Sequence, residues 1–600
     1  MKIIEKLPPR GILVLIILLS FINPLHYAIM SITTPNNKVF LGGHVDDFFQ
    51  LTLMNSVEWN FNSPWDLDQT VFENPVLGAS YTFVLLGTLP ALLEINLIVA
   101  FLVIKFLLSI IYLVIIYNIV KYFLESEKDI KLGYLIFLFS AGIGSFIYLL
   151  FLLVAPNYSP VVGFALTAEF DELGGGAHAL SHLTRIYWLL PEVTGLISLM
   201  LFMMKRRVIA GIFLGLTILF YPTFAIAFAF LILVYAIVEK HKSKLDLMDF
   251  VKMLFPVIFI SAVFSFPWVI SSLQSPQYFN QYRQWFSGYP FLTLIVSFFF
   301  TFVLSFYGFT KKTKSLLNKK IFALLLMLFS LLSTLAHLHE FAGGSLILTE
   351  WLKATGLFGI SSFLNSLAVI DLPLIFLLGL LSYDILRKNL DKKYTFLILW
   401  ITGITAITVV SAQFVFWWPA RMRWFLLLPL SMASVHGIKY LANTKMPFFS
   451  KKKIKEIHIV LIIALLSLPS LLAFNFYIQQ VAHSSDRVYI SEEDFQALMF
   501  IKNQPDGRVL SGSDIGNVLP FVTGKTSLLF DDSKTERHFD VELFYSNSTK
   551  DEKYKILKKY GISYVFYGDH EKKFGITDLE GLDFLMKIYD NVTAVYRVAA

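Results

Sequence analysis

Residues 95–123 read INLIVAFLVIKFLLSIIYLVIIYNIVKYF, and the direction in which this stretch crosses a bilayer decides the topology of the whole chain. It is longer than the roughly 20 apolar residues that a transmembrane helix needs. One charge lies well inside it, Lys105, which either faces the interior of a helix bundle or snorkels to the interface. The stretch ends at Lys121, with Lys128 and Lys131 close behind. Ahead of it, Pro75 to Leu93 is also apolar but is interrupted by Pro90, and it either spans or lies on the membrane surface. If it lies on the surface, residues 95–123 run inward and their lysines reach the cytoplasmic side. If it spans, those lysines fall outside and every later basic cluster inverts. Lys and Arg concentrate in cytoplasmic loops, so the surface reading is taken.

The remaining apolar runs then alternate. A first span over residues 11–30 leads outward into a long outer loop, about residues 32–93. Later spans return to Lys205-Arg206-Arg207, to Lys240, Lys242 and Lys244, to the lysines between 311 and 320, to Arg387, Lys388, Lys392 and Lys393, and to Lys451, Lys452, Lys453 and Lys455. All of these clusters fall on one side of about 13 spans. Residues 209–220 and 222–238 form a short hairpin turning at Tyr221-Pro222.

Composition agrees. Of 600 residues 56% are hydrophobic and 16% charged, against about 25% charged in soluble proteins. The net charge of +7 sits in short clusters between spans, which is a membrane pattern and not a nucleic-acid one. The absence of Cys excludes disulfides, thiolate metal sites and a Cys nucleophile. Lys2, Lys6 and Arg10 before the first apolar run would suit a signal peptide, but Leu25 to Met30 is bulky and offers no small-x-small cleavage pattern. The reading is an uncleaved first span with a cytoplasmic N-terminus, in a multi-pass cell-membrane protein.

From about Ser484 charge rises and the long apolar runs stop. A helix over 492–503 is expected, capped by Ser491, with strands at 508–511, 527–530, 563–567 and 592–598 and a helix at 552–560. Alternating strands and helices predict a small α/β domain. The division expected is a membrane domain over 1–480 and an extracytoplasmic domain over 484–600.

Candidate chemistry gathers in the outer loops. The first loop opens with Gly42-Gly43-His44-Val45-Asp46-Asp47-Phe48-Phe49-Gln50. Two adjacent carboxylates at membrane depth are costly unless they meet water, a cation or a partner. Further acids follow at Glu169 and Asp171, and at Glu340 or Glu350. Carboxylates brought together there are suited to a divalent cation such as Mg or Mn, or one of them to general-base work; alternatively they are ordinary polar loop residues. His337-Leu338-His339 has i, i+2 spacing, wrong for one helix face, and His178 and His182 lack a third ligand. Outer basic residues are few. Arg185 enters one span, and Arg421 and Arg423 enter another beside Trp418 and Trp424. At headgroup depth such Arg side chains either hold a lipid phosphate in bidentate fashion or snorkel.

This layout resembles the GT-C-fold membrane glycosyltransferases: a cytoplasmic N-terminus, a long first outer loop opening on an acidic pair, many spans, an Arg-x-Arg before a late span and an outer C-terminal domain. That resemblance implies an α-helical polytopic membrane fold and transfer of a sugar from a polyprenyl-phosphate-linked donor to a glycan, lipid or protein acceptor, with no nucleic acid involved. Asp46 would act as base with Asp47 in support, and Arg421, Arg423 and Arg185 would hold the donor phosphate. Within the group the layout is similar to the oligosaccharyltransferase catalytic subunit. There Asp46 matches the first-loop acid, Glu169 and Asp171 the second-loop pair, and Glu350 a loop glutamate serving metal or acceptor. The chain lacks that family's Trp-Trp-Asp-Tyr-Gly sequence, which favours transfer of single sugars, or transfer to a lipid or glycan. The rival classes are a transporter or flippase of lipid-linked glycans and a non-catalytic scaffold.

Overall fold

The computed structural model describes residues 8–32, 36–41, 51–55, 78–139, 186–274, 391–412, 424–443, 489–529, 536–575 and 579–599, less single positions within them and with a few isolated residues besides. In chain order the helical part contains α1 (Arg10–Ser20), α2 (Ile22–Ile32), β1 (Lys38–Phe40), α3 (Gly78–Leu92), α4 (Leu97–Phe123), α5 (Glu127–Phe139), α6 (Ile186–Met203), α7 (Arg207–Phe220), α8 (Pro222–Ser243), α9 (Leu247–Gln274), α10 (Lys392–Ala412) and α11 (Trp424–Asn443). There follow β2 (Tyr489–Ser491), α12 (Glu492–Lys502), β3 (Arg508–Leu510), α13 (Ser513–Thr523), β4 (Thr526–Ser527), α14 (Glu536–Phe544), α15 (Lys550–Tyr560), β5 (Ile562–Tyr567), α16 (Asp569–Lys572), β6 (Leu585–Asp590) and β7 (Ala594–Val598). Two compact units result. One comprises residues 1–20, 108–266 and 277–477; the other comprises 21–107, 267–276 and 478–600. The C-terminal residues thus share a unit with the segment read as the first outer loop.

Among the described residues three helices are long and apolar enough to cross a membrane, Leu97–Phe123, Phe224–Ser243 and Leu247–Phe266, with shorter apolar helices beside them. The expected single first span is instead two helices parted at Phe21. Pro24 gives the reason: it has no N–H to offer the Ser20 carbonyl, and its ring crowds that carbonyl. Helix α3 is described from Gly78 onward, and residues 75–77, which the surface reading also covers, lie outside the described residues.

Side-chain contacts fix the helix directions in the helical unit. At one end, the rings of Phe123 and Phe396 stack at 6.0 Å and Tyr235 meets Phe396 at 5.2 Å, so the ends of α4 and α8 meet the start of α10. There Lys392 pairs with Glu239, and Lys439 at the end of α11 reaches Asp129 at the start of α5 at 2.6 Å. The Arg207 guanidinium donates to the Lys252 carbonyl at 3.2 Å, bringing the start of α7 to α9. Hence Arg207, Lys240, Lys392 and Lys439 gather at one end. Glycines allow the close approaches between: a Cβ on Gly195 would lie 2.0 Å from the Phe228 ring, and one on Gly403 2.3 Å from Phe230. Small residues serve this purpose where lipid supplies no hydrophobic drive between helices.

In the other unit β1 pairs antiparallel with β2. A separate five-stranded sheet runs β4-β3-β5-β7-β6. Strands β4, β3 and β5 are parallel, while β7 is antiparallel to both β5 and β6. Ser491 caps α12 as expected, its hydroxyl accepting from the Asp494 N–H at 3.0 Å. Thr549 and Glu552 close a capping box on α15. The core beneath the sheet is aliphatic and aromatic: Leu510, Val541, Phe544, Ile556, Leu557 and Val565 are all buried. Helix α14 and strand β6 were not expected from the sequence. β6 carries no clean alternation, since Leu585 is buried but the following residues are all partly or fully exposed.

Candidate functional site

Asp46, Asp47, Glu169, Asp171, Arg185, Glu340, Glu350, Arg421 and Arg423 lie outside the described residues, as do His178, His182, His337 and His339. The elements that lead into them are described. The chain enters α6 one residue after Arg185 and α11 one residue after Arg423. Phe425 at the start of α11 packs edge-on against Phe224 (5.2 Å) and Phe228 (5.0 Å) in the first half of α8. The Trp400 ring N–H donates to the Phe425 carbonyl at 3.0 Å. Thr217 donates to Thr194 at 3.0 Å, setting the end of α7 beside the first half of α6. The starts of α6, α8 and α11 therefore share one end of the helical unit. It is the end opposite Arg207, Lys240, Lys392 and Lys439. Two chain entries that carry arginine, at 185 and at 421–423, lead into this end.

The acid pair falls within residues 42–50, outside the described residues. The residues that flank this stretch are buried in the second unit: Leu41 is 6% exposed and Leu51, Thr52 and Met54 are at most 1% exposed. β1 delivers Leu41, and its register is set by Lys38, Val39 and Phe40 opposite Ser491, Ile490 and Tyr489. Phe40 also meets the Tyr489 and Tyr27 rings at 5.6 and 4.9 Å.

Two ionisable groups in the apolar layer complete the inventory. Lys105 is buried, with Nζ 4.6 Å from the centroid of the Phe101 ring, so it faces protein and does not snorkel. Glu192 in α6 is buried and accepts a hydrogen bond from the Tyr112 hydroxyl at 3.1 Å. The sequence reading missed Glu192. An acid within an apolar run was the available signal.

The carboxyl ends of β3 and β5 form another candidate. The chain leaves β3 through α13 to β4 on one side, then returns through α14 and α15 to β5 on the other. Such a switch point is where open α/β sheets commonly bind ligands. Here the crevice is filled from within. The Glu571 carboxylate, fully buried, accepts from the backbone N–H of Gly512 at 2.7 Å and of Gly568 at 3.0 Å. It takes the place an anion would take at the start of α13. A Cβ on Gly512 would lie 2.5 Å from the His570 ring and one on Gly568 2.4 Å from Asp494, so no space remains. Burial pushes the Glu571 carboxyl up to about 7. His570 Nδ1 stands 2.9 Å from Asp514, and this contact raises the imidazole above its usual value. This point is structural. Among the described residues no group of three or more His, Asp or Glu is placed to hold a metal.

No family model matches the chain, and no curated protein is similar to it in sequence. Similar solved structures exist. The Archaeoglobus fulgidus oligosaccharyltransferase in its apo form is 12% identical, with 96% of this chain and 72% of that chain covered and a TM-score of 0.49. The same enzyme tethered through a disulfide to an acceptor peptide containing the NVT sequon is 13% identical, covering 93% and 68%, with a TM-score of 0.48. The archaeal oligosaccharyltransferase AglB from that organism, in complex with an inhibitory peptide and a dolichol-phosphate, is 13% identical, covering 93% and 69%, with a TM-score of 0.46. At these values the likeness decides no activity, and the functional reading rests on this chain's own residues.

Proposed function

We propose that the chain is an integral membrane glycosyltransferase that moves a sugar from a polyprenyl-phosphate-linked donor to an acceptor hydroxyl on the outer membrane face. One observation carries this reading: the chain enters α6 from Arg185 and α11 from Arg421-Met422-Arg423 at the same end of the helical unit, opposite its basic turns. If the basic turns are cytoplasmic, that end faces outward. Arginines arriving there suit a phosphate at headgroup depth, which a guanidinium holds through paired N–H donors. Asp46, which lies in sequence between the buried Leu41 and Leu51, is assigned as the base. It takes the proton of the acceptor oxygen as that oxygen bonds to the anomeric carbon. The bond from carbon to the donor phosphate breaks, and the phosphate leaves with its electron pair beside Arg421 and Arg423. Asp47, Glu169, Asp171 and Glu350 are assigned to a divalent cation or to the acceptor.

The test is incubation of the purified protein with a panel of radiolabelled polyprenyl-phosphate sugars, with and without chelator. Transfer to water or to an added glycan, lipid or peptide supports the reading. Movement of intact lipid-linked sugar across a vesicle bilayer with no transfer would establish a flippase in its place.

A further inference from the structure

The second unit contains a groove of about 650 Å³ that the reading above does not use. Its walls come from β1, from the elbow between α3 and α4, and from α12 and the end of α13. Helix α3 gives it Gly87, Pro90 and Ala91, at i, i+3 and i+4 on one face, and the turn that follows the helix gives Glu94. The other face of that segment shows Leu89, Leu92 and Leu93, each more than half exposed, as a surface-lying helix would show them to lipid. Helix α12 gives a second stripe, Phe495, Met499 and Lys502, with one positive charge at its end.

Two features point to the occupant. The first is backbone. The Glu492 N–H donates to the Asn37 carbonyl at 3.0 Å, so residues 37 and 492 form a hydrogen-bonded pair of the antiparallel ladder. Such pairs alternate. Phe40 therefore turns its N–H and C=O away from β2, and no described strand pairs with that edge. The second is charge. Glu94 holds a left-handed backbone, φ 51°, where glycine is the usual residue. The Ile95 N–H closes the turn on the Pro90 carbonyl at 3.0 Å. A strained glutamate and Lys502 thus bring opposite charges to one apolar groove.

We propose that this groove seats an extended polypeptide segment, added as a third strand beside β1 at Phe40, with a basic side chain meeting Glu94 and an acidic one meeting Lys502. Strand addition of this kind draws affinity from main-chain hydrogen bonds and specificity from pockets for alternate side chains. Met54 and Met499 in the walls adapt to varied side chains. A prenyl or acyl chain is the poorer occupant: it would bury the N–H and C=O of Phe40 and both charges without partners.

The experiment uses the full-length protein in nanodiscs and a fluorescent acetylated peptide of alternating Val and Thr, with Lys at one end and Glu at the other. Binding is read by anisotropy and needs no sugar transfer, so its failure and failure of the glycosyltransferase reading are separate results. The expected outcome is saturable binding, weakened at least tenfold when alternate peptide amides are N-methylated and weakened by Lys502→Glu. Both Glu94 and Lys502 are exposed, so the double variant Glu94→Lys with Lys502→Glu should fold. It should prefer the peptide with its two charges exchanged. No binding, equal binding of the N-methylated peptide, or displacement by polyprenyl phosphate with no effect of either charge reversal would overturn the proposal.

Discussion

Replacing Asp46 by Asn keeps the side chain's size but removes its capacity to take a proton. General-base loss costs about 10²–10⁴ in rate. The D46N protein should insert and bind donor normally, yet transfer sugar more slowly by that factor in a single-turnover assay. Near-native turnover would move the base to Glu169, Asp171 or Glu350. Arg421→Gln removes a charge-assisted contact worth roughly 1.5–3 kcal/mol, so KM for the lipid-linked donor should rise about ten-fold or more, with KM for the acceptor nearly unchanged. Unchanged donor kinetics in both single variants would leave Arg421 and Arg423 as interfacial anchors. These proposed residues stand out in the sequence because their signal is local, two acids side by side or Arg-x-Arg against a one-sided charge bias, and they lie outside the described residues. Glu192 and Glu571 do not stand out, because each takes its meaning from a distant partner. Tyr112 lies 80 residues from Glu192, and Gly512 lies 59 from Glu571.

Among elements, the parallel pair β3 and β5 is the one whose behaviour the geometry specifies best. The Tyr545 hydroxyl bridges the two strands, 3.0 Å from the Leu510 carbonyl and 2.6 Å from that of Phe566. Tyr545→Phe should cost about 1–3 kcal/mol, the usual penalty for leaving buried polar groups unsatisfied, seen as faster amide exchange in β3 and β5. Protonation gives a second handle. The Glu571 carboxyl is raised from 4.5 to about 7 by burial, and His570 is raised from 6.5 chiefly by Asp514. Asp494 is raised by burial as well. In each case the folded state holds its proton more tightly than the unfolded chain, so stability is greatest at low pH and falls as pH rises. The loss accumulates from about pH 4.5, where unfolded Glu ionises, through about pH 7, where Glu571 does. Amide exchange of Leu510 and Val565 should therefore speed up between pH 5.5 and 8 beyond the intrinsic pH effect, and Glu571→Gln should flatten that dependence. A slope identical in the variant would place the titrating group elsewhere. The capped helices α12 and α15 and strands β3, β5 and β7 were readable from caps, glycines and β-branched or aromatic runs. The expected 527–530 strand is described as Thr526–Ser527: the Leu528 N–H still donates to the Val509 carbonyl at 3.1 Å, but the Leu529 carbonyl turns to the Ser527 hydroxyl at 2.6 Å, and residue 530 lies outside the described residues.

At the scale of the whole molecule the sequence carried topology further than detail. Of the basic turns read along the chain as one-sided, those described at Arg207, Lys240 and Lys392 meet at one end of the helical unit, while the clusters at 311–320 and 451–455 lie outside the described residues. That agreement has a physical cause: each short turn must return its charges to the side it left, so alternation along the chain becomes segregation in space. The division into units was less legible, because residues 21–107 join the C-terminal residues through pairings such as Val39 with Ile490, across more than four hundred positions. Orientation relative to a membrane is tested by introducing cysteine into this Cys-free chain. Lys550 and Ser243 are exposed, the first at the start of α15 and the second at the end of α8 beside Lys240 and Lys242. Lys550→Cys should react with a membrane-impermeant maleimide in intact cells. Ser243→Cys should react only after permeabilisation. Equal labelling of both without permeabilisation would mean leaky cells or a chain inserted in two orientations, which a control on a known cytoplasmic cysteine separates. The reverse pattern would put the basic turns outside and the helix starts that follow Arg185 and Arg423 inside. The phosphate-binding assignment would then have to move to the cytoplasmic face, taking the proposed outer-face transfer with it.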